Sequence, residues 1–442
     1  MQTNVNNLDS FDVHERRATL AGLARGPGLP AAGSNVNMHA HSFYSFNAEG
    51  WSPSRVAWEC RRAGLYAAGL CDFDVLDGVE EFLDAGLALG LRAAAHIETR
   101  VFLADMREVE ITSPGEPGVT YIMGAGFVRS PAAGTRAADD LAAYRRRAGE
   151  RNQALIARIH QHLPEIALDY VRDVMTLTPA GNATERHIIR AYVRQAAHRF
   201  GEGDSAVAFW SGVLGKDGET TRRLMAEAPR FEEAVRARLV KRGGLGYEQP
   251  SESTFPRAAD FTAWVRACGA LPMITWLDGT SAGERDAQAL LDCMCGHGCV
   301  AMNIVPDRNW NIADPEERRR KIANLGTIVA EAERRGLPLN IGTEMNRHGL
   351  PFVDDLNGEA LRPHRAAFLR GARIMAGHSL LARYADYGYL SPAAEQDLTE
   401  VKERNAFFEA IGALPPLTEA QARDLQAGGA GKALDWFRRG LQ

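Results

Sequence analysis

The chain is short of cysteine, carries no excess of positive charge and has no long apolar run. Six cysteines among 442 residues do not suggest a disulfide framework, so reduced thiols in a cytoplasmic setting are the expectation. A net charge of −5 supplies no basic footprint of the kind that holds nucleic acid, and no such partner is expected. No uninterrupted apolar stretch is long enough to span a bilayer, which excludes a membrane partner of the spanning kind. The opening "MQTNVNNLDSFDVHERR" lacks a basic region followed by an apolar one, so no secretory signal is expected. A Walker A motif is absent. "GLGYEQP" and "GAGF" lack the spacing and following helix of a dinucleotide fingerprint.

What remains is an ordinary globular composition, 45% apolar and 24% charged, in a length that suits one large α/β domain with an inserted or appended helical part. A helix-like stretch over Phe11 to Arg25 ends at "GPGLPAAGSN". From Val36 to Phe127 short apolar runs alternate with amphipathic helices. Ser52 is placed to cap one of these helices, with Pro53 at its first position. This βαβ rhythm predicts a mostly parallel sheet with helices outside. It stops between about Arg136 and Arg242, where only helical periodicity occurs. It then resumes through "LPMITWL", "CVAMNIV" and "LPLNIGTE", and past Pro363 everything reads helical. The expected organisation is a leader over residues 1–34 and a discontinuous βα unit over 35–128 and 255–385. A helical insertion covers 129–254 and a helical tail 386–442.

In such folds the strand ends build the site. The residues expected there are His39, His41, Asp72, Asp74, Glu98, Tyr121, Trp276, Asn303, Glu344 and Asn346. His39 and His41 lie two apart on an extended run, so both imidazoles share a face and can reach one cation. Glu98 and Glu344 end other strands and could complete a four-ligand shell.

These residues resemble the PHP (polymerase and histidinol phosphatase) domain of metal-dependent phosphoesterases. "MHAHS" looks like its His-x-His-Ser/Thr opening, "LCDFDVLDG" its Thr-Asp-His-Asp motif and "AHIETR" its Gly-x-Glu. "TYIMGAGF" resembles a strand that starts with a metal-binding His, "GALPMITWLDG" one ending in Ala-His-Pro, and "NIGTEMN" the closing Gly-Ser-Asp-x-His. The resemblance covers about Asn35–Phe127 and Phe255–Ala385. It implies a distorted (βα)7-type barrel, here with a large helical insertion and a helical C-terminal extension. It also implies two or three metals. Three positions of a third site are Asn47, Phe73 and Asn346 here, and two of a second site are Tyr121 and Trp276. The resemblance therefore points to one divalent metal (Zn, Mn or Fe) on His39, His41, Glu98 and Glu344.

The implied activity is that of a metal-dependent hydrolase acting on a small anionic, phosphorylated metabolite. A mononuclear enzyme cleaving C–O or C–N bonds and a non-catalytic PHP-like binding protein are the alternatives. Arg100, on the same strand face as Glu98, could replace the charge of a second metal or pair with a core carboxylate. Asp74 or Tyr121 could move a proton, while Asp72 is expected to cap the next helix. Arg186 and Arg190, four apart on a helix, could grip the anion or form a solvated basic face. Trp276 could stack on a substrate group or fill vacated space. His160 and His162 diverge on a helix and are read as surface residues. His348 and His378 could line the pocket, and His348 could stand in for the missing ligand at Asn346. "CMCGHGC" is read as a helix end with core cysteines, not a zinc knuckle. "SPGEPG" is read as a turn-rich connection near Glu98. The sequence leaves a homo-oligomer open.

Overall fold

The computed structural model describes residues 4–26 and 28–442. Seven short apolar segments form strands β1 (Val36–Ala40), β2 (Ala67–Phe73), β3 (Arg92–Phe102), β4 (Val119–Ala125), β5 (Leu271–Trp276), β6 (Ala301–Ile304) and β7 (Leu339–Ile341). They lie in one sheet in sequence order. A bridge between Ala40 and Glu344 then joins the last strand to the first. His41 N–H donates to the Glu344 carbonyl and Glu344 N–H to the His39 carbonyl, each at 2.8 Å. The sheet is thereby nearly closed into the distorted seven-stranded barrel that the resemblance implies.

Four of the six neighbouring pairs are parallel, but β4 runs antiparallel to both β3 and β5. The reason is local. A parallel neighbour needs a crossover of a dozen or more residues, usually helical. Between β3 and β4 the chain offers only a single 3-10 turn, Ala104–Met106, and the "SPGEPG" excursion, so it doubles back. The start of β4, rather than its end, therefore reaches the same mouth as the ends of its neighbours. Tyr121 arrives there by that route.

Strand-to-helix punctuation follows simple capping chemistry. The Ser52 side chain accepts from Arg55 N–H, with Pro53 at the first turn of the helix Pro53–Arg62. The segment between β4 and β5 contains only helices, among them Arg136–His162, Glu185–Phe200 and Ala228–Leu239. Ile159, Ile188, Tyr192, Trp210 and Leu239 give it an apolar core of its own.

The C-terminal helices behave differently. Phe368, Phe408, Ile411, Leu425 and Phe437 belong to the same core as the strands. Each phenylalanine withdrawn from water there is worth roughly 2–3 kcal/mol. The helices Arg365–Tyr384 and Val401–Ala413 cross with backbones almost in contact. A Cβ on Gly412 would overlap the Arg373 carbonyl, and one on Gly377 the Phe408 carbonyl. His378 ties this layer to the barrel, with Nε2 2.8 Å from the Gly126 carbonyl and Nδ1 accepting from Tyr389 N–H at 3.0 Å. It is fully buried and does not line the pocket. No helix among the described residues is long and apolar enough to cross a membrane.

Candidate metal centre

The first pair of candidate ligands sits at an irregularity. The register of β1 against β2 shifts between Asn37 and Ala40, a bulge of the kind that re-aims side chains beside active sites. His39 and His41 both emerge fully buried. Their ring orientation is fixed by neighbours. The Ser45 hydroxyl lies 3.0 Å from His41 Nδ1 and donates its own proton to Asp72 Oδ1 at 2.6 Å. A hydroxyl whose single hydrogen is spent can only accept, so His41 Nδ1 carries the proton and Nε2 presents a lone pair. Asp72 also accepts from Ser42 N–H and Ser42 Oγ, each at 2.7 Å. Instead of capping the next helix, whose cap is Gly78 without a side-chain bond, Asp72 braces the loop that carries His41. Asn303 performs a similar task on the other ring, its amide 3.1 Å from His39 Nδ1. With the amide O and N exchanged, Oδ1, which otherwise has no partner, accepts Nδ1–H and leaves His39 Nε2 free.

Glu98 meets both rings. The register pairs Phe73 with Glu98 and Cys71 with His96, and across β4 it pairs Glu98 with Met123 and Arg100 with Tyr121. Register partners share a face, so these side chains all look into the barrel. Phe73 stacks on His41 with ring centroids 4.8 Å apart. Glu98 Oε2 lies 3.3 Å from His39 Nε2 and 3.4 Å from His41 Nε2. All three atoms are buried and none has a hydrogen-bond partner. Orphaned groups of this kind are expensive unless something satisfies them. The spacing names the candidate: two donors at about 2.05 Å from a tetrahedral ion stand about 3.3 Å apart. Burial alone would raise the Glu98 carboxyl, but the imidazoles of His39 and His41 hold it down at about 2. Burial works against charge on His39 as well, and Glu98 reverses it, leaving that ring raised from its ordinary value. The donor set and its spacing fit a divalent cation.

Glu344 reaches the same region differently. Its backbone closes the barrel, and its φ of +63° is a left-handed conformation that costs a non-glycine residue of order 1 kcal/mol or more. Its carboxylate is 3.6 Å from Arg308 Nη2. The donor atoms of His39, Cys71 and Glu98 also all lie within 4.8 Å of one another. Neither Cys71 nor Arg308 is signalled by the sequence. Cys71 reads as an apolar strand residue, and Arg308 follows a strand end by four positions.

The remaining sequence candidates divide by what they touch. Arg100 pairs with Glu116 of the "SPGEPG" loop at 3.0 Å and lies over Phe255, 4.4 Å from the ring centroid. Its partner is thus a loop carboxylate, which the Ser113 hydroxyl also bonds at 2.6 Å. Tyr121 stands opposite Arg100; burial raises its phenol and the guanidinium opposes the shift. Asp74, with φ +59°, accepts from Thr99 Oγ1 at 2.6 Å and lies 3.9 Å from Arg151. Trp276 is 1% exposed. Its register partner is Ile304, whereas its neighbour Thr275 pairs with Asn303, the residue that reaches His39. Trp276 therefore lies on the outer, core-facing side of β5 and not at the mouth, because alternation gives the inner position to Thr275. Arg186 and Arg190 pair with Glu233 and Glu232 and both lie over the Phe46 ring. They join the insertion to the loop after β1. His160 is no free surface residue, since its Nε2 accepts from Leu168 N–H at 2.7 Å. His348 is 3.3 Å from Glu49. In "CMCGHGC", Cys293 and His297 face Asp105.

No family model matches the chain. Over 140 residues, 31% of this chain, it is 31% identical to the error-prone DNA polymerases of Mycobacterium bovis and Mycobacterium tuberculosis, and that stretch is 12% of their length. The chain thus spans about an eighth of the curated relatives it matches. Among solved structures it is similar to a chain assigned as a metal-dependent phosphoesterase from Bifidobacterium adolescentis. That match has TM-score 0.45 and 18% identity, over 77% of this chain and 98% of that one. An amidohydrolase from Chromobacterium violaceum, solved with sulfate and no metal, gives TM-score 0.49 and 16% identity over 76% and 96% of the two chains.

Proposed function

We propose that this PHP-like chain is a metal-dependent hydrolase with a single-cation centre, acting on a small anionic, phosphorylated metabolite. The observation that carries the proposal is the convergence of His39 Nε2, His41 Nε2 and Glu98 Oε2, buried, unpartnered and 3.3–3.4 Å apart where they meet. These three residues would hold the ion, with Glu344 as the fourth candidate from the sequence. A divalent ion in such a cradle lowers the pKa of a bound water towards neutrality and polarises a phosphoryl or carbonyl oxygen.

The chain's own residues would do the rest. Arg100 presents a guanidinium on the inner face beside Glu98, pre-aimed by Glu116 and Phe255, and its planar fork suits a phosphate or carboxylate. Tyr121, directly across from it, can donate a hydrogen bond to the same anion; the raised phenol keeps its proton at neutral pH. Arg308 offers a second cation at the rim, facing Glu344. Asp74, held by Thr99 and close to Arg151, would be the group to take a proton. Phe73 and Tyr121, on the inner face where further ligands would be needed, favour one ion over two. They also keep the second reading alive, a mononuclear enzyme cleaving a C–O or C–N bond.

Metal analysis of the purified protein tests the centre. About one equivalent of divalent metal is expected, and His39→Ala should lose it. Metal absent under every loading condition would leave a non-catalytic binding protein. A phosphate-release screen over anionic metabolites then separates the readings; metal-loaded protein that frees no phosphate from any of them counts against the phosphoesterase.

A further inference from the structure

The three-donor cradle lacks a fourth donor of its own, and two side chains compete for that place. Glu344 has the chemistry, but its carboxylate is turned to Arg308. Cys71 has the position. It lies on the inner face of β2, one inward step below Phe73, and its register partner is His96. It is fully buried, and its sulfur is within 4.8 Å of both the His39 and the Glu98 donor atoms. Beside it are three buried polar atoms, none with a hydrogen-bond partner: His39 Nε2, His41 Nε2 and Glu98 Oε2.

We propose that Cys71 is a thiolate ligand of the barrel metal centre, completing a set of two imidazoles, one carboxylate and one sulfur, with Glu344 left as the counter-ion of Arg308. The inference rests on the reading of His39, His41 and Glu98 as a metal site and specifies what kind of ion that site takes. On binding, the thiol proton leaves to solvent as the metal–sulfur bond forms, so no other reagent is needed. A thiolate among the donors shifts preference towards Zn²⁺, Fe²⁺ or Co²⁺ and away from Mn²⁺ and Mg²⁺, which favour oxygen. It also donates more charge to the ion than a carboxylate would, which moderates its pull on a bound oxygen.

The test uses the full chain in a Cys293→Ser background, so that the surface group Asp105, Cys293 and His297 cannot supply sulfur. The protein is loaded with Co²⁺ and its near-ultraviolet spectrum recorded. A sulfur-to-cobalt charge-transfer band at one equivalent is expected. The band should disappear in Cys71→Ser while cobalt still binds, at least about tenfold more weakly, and should persist in Glu344→Gln. X-ray absorption of the zinc form needs no substitution at position 71 and covers the case in which Cys71→Ser fails to fold. It should show a sulfur scatterer at about 2.3 Å in addition to nitrogen and oxygen at about 2.0–2.1 Å. One equivalent of bound metal with no band and no sulfur scatterer overturns the thiolate alone. Failure to bind metal at all, in wild type and His39→Ala alike, overturns both the thiolate and the centre it belongs to.

Discussion

At the scale of single residues, ring orientation is the property that decides whether a histidine can ligate. Ser45 spends its one hydrogen on Asp72 and so fixes the His41 tautomer. Ser45→Ala should therefore weaken metal binding about 10- to 100-fold and also lower the metal-free stability by roughly 1–3 kcal/mol, because it leaves buried His41 Nδ1–H without a partner; chelator competition and thermal melts read the two effects separately. A second residue carries a pH signature. Asp354 is buried, with one oxygen accepting from Trp310 Nε1 at 3.2 Å and the other without a partner. Burial pushes its carboxyl up to about 7. The folded chain then keeps a proton that the unfolded chain releases above about pH 4, so the folded state binds more protons across that window. Stability from this group is present below the unfolded value and declines as pH climbs to about 7, by roughly 4 kcal/mol at most. Asp354→Asn should remove that decline, and the difference between wild-type and variant denaturation midpoints at about pH 5 and about pH 8 measures it. His39, His41 and Glu98 were legible in the sequence because period-two spacing and strand-end position are local properties. Cys71, Ser45 and Glu116 were not, because a small residue in an apolar run or a loop acquires its meaning only from what folds against it.

At the scale of elements, the close crossing of Arg365–Tyr384 with Val401–Ala413 leaves no room for a side chain at the contact. Gly412→Ala should destabilise the protein by about 3 kcal/mol, since the obstacle is the Arg373 backbone carbonyl and not a movable side chain. A shift of the urea midpoint at constant slope is the expected record. Most elements could be read in advance from hydrophobic periodicity and from caps such as Ser52–Pro53. The direction of β4 could not. Periodicity reports which side of a strand is buried and is silent on its sense, and only the lack of a crossover helix after β3 turns it round. The face of Trp276 was misjudged for a related reason, because a one-residue offset along β5 exchanges inside for outside.

At the scale of the whole molecule, the sequence pattern distinguished a helical middle and a helical end without saying which core each would join. The middle helices bury Trp210 and Tyr192 among themselves, while the last helices bury Phe408 and Phe437 with the strands. Amphipathic periodicity shows that a helix has an apolar face and carries no label for its partner. Barrel closure was expected from the family resemblance alone, since periodicity says nothing about the approach of segments some three hundred positions apart.

That closure has a consequence for how firmly the candidate donors are held. The amide and carbonyl groups that seal the first strand to the last belong to His39, His41 and Glu344 themselves. The three cradle residues sit on or beside the first and third strands, so a chain whose final strand has come adrift would still bring them together. What it would lose is the backbone clasp on both histidines, and with it the steadiness of their spacing.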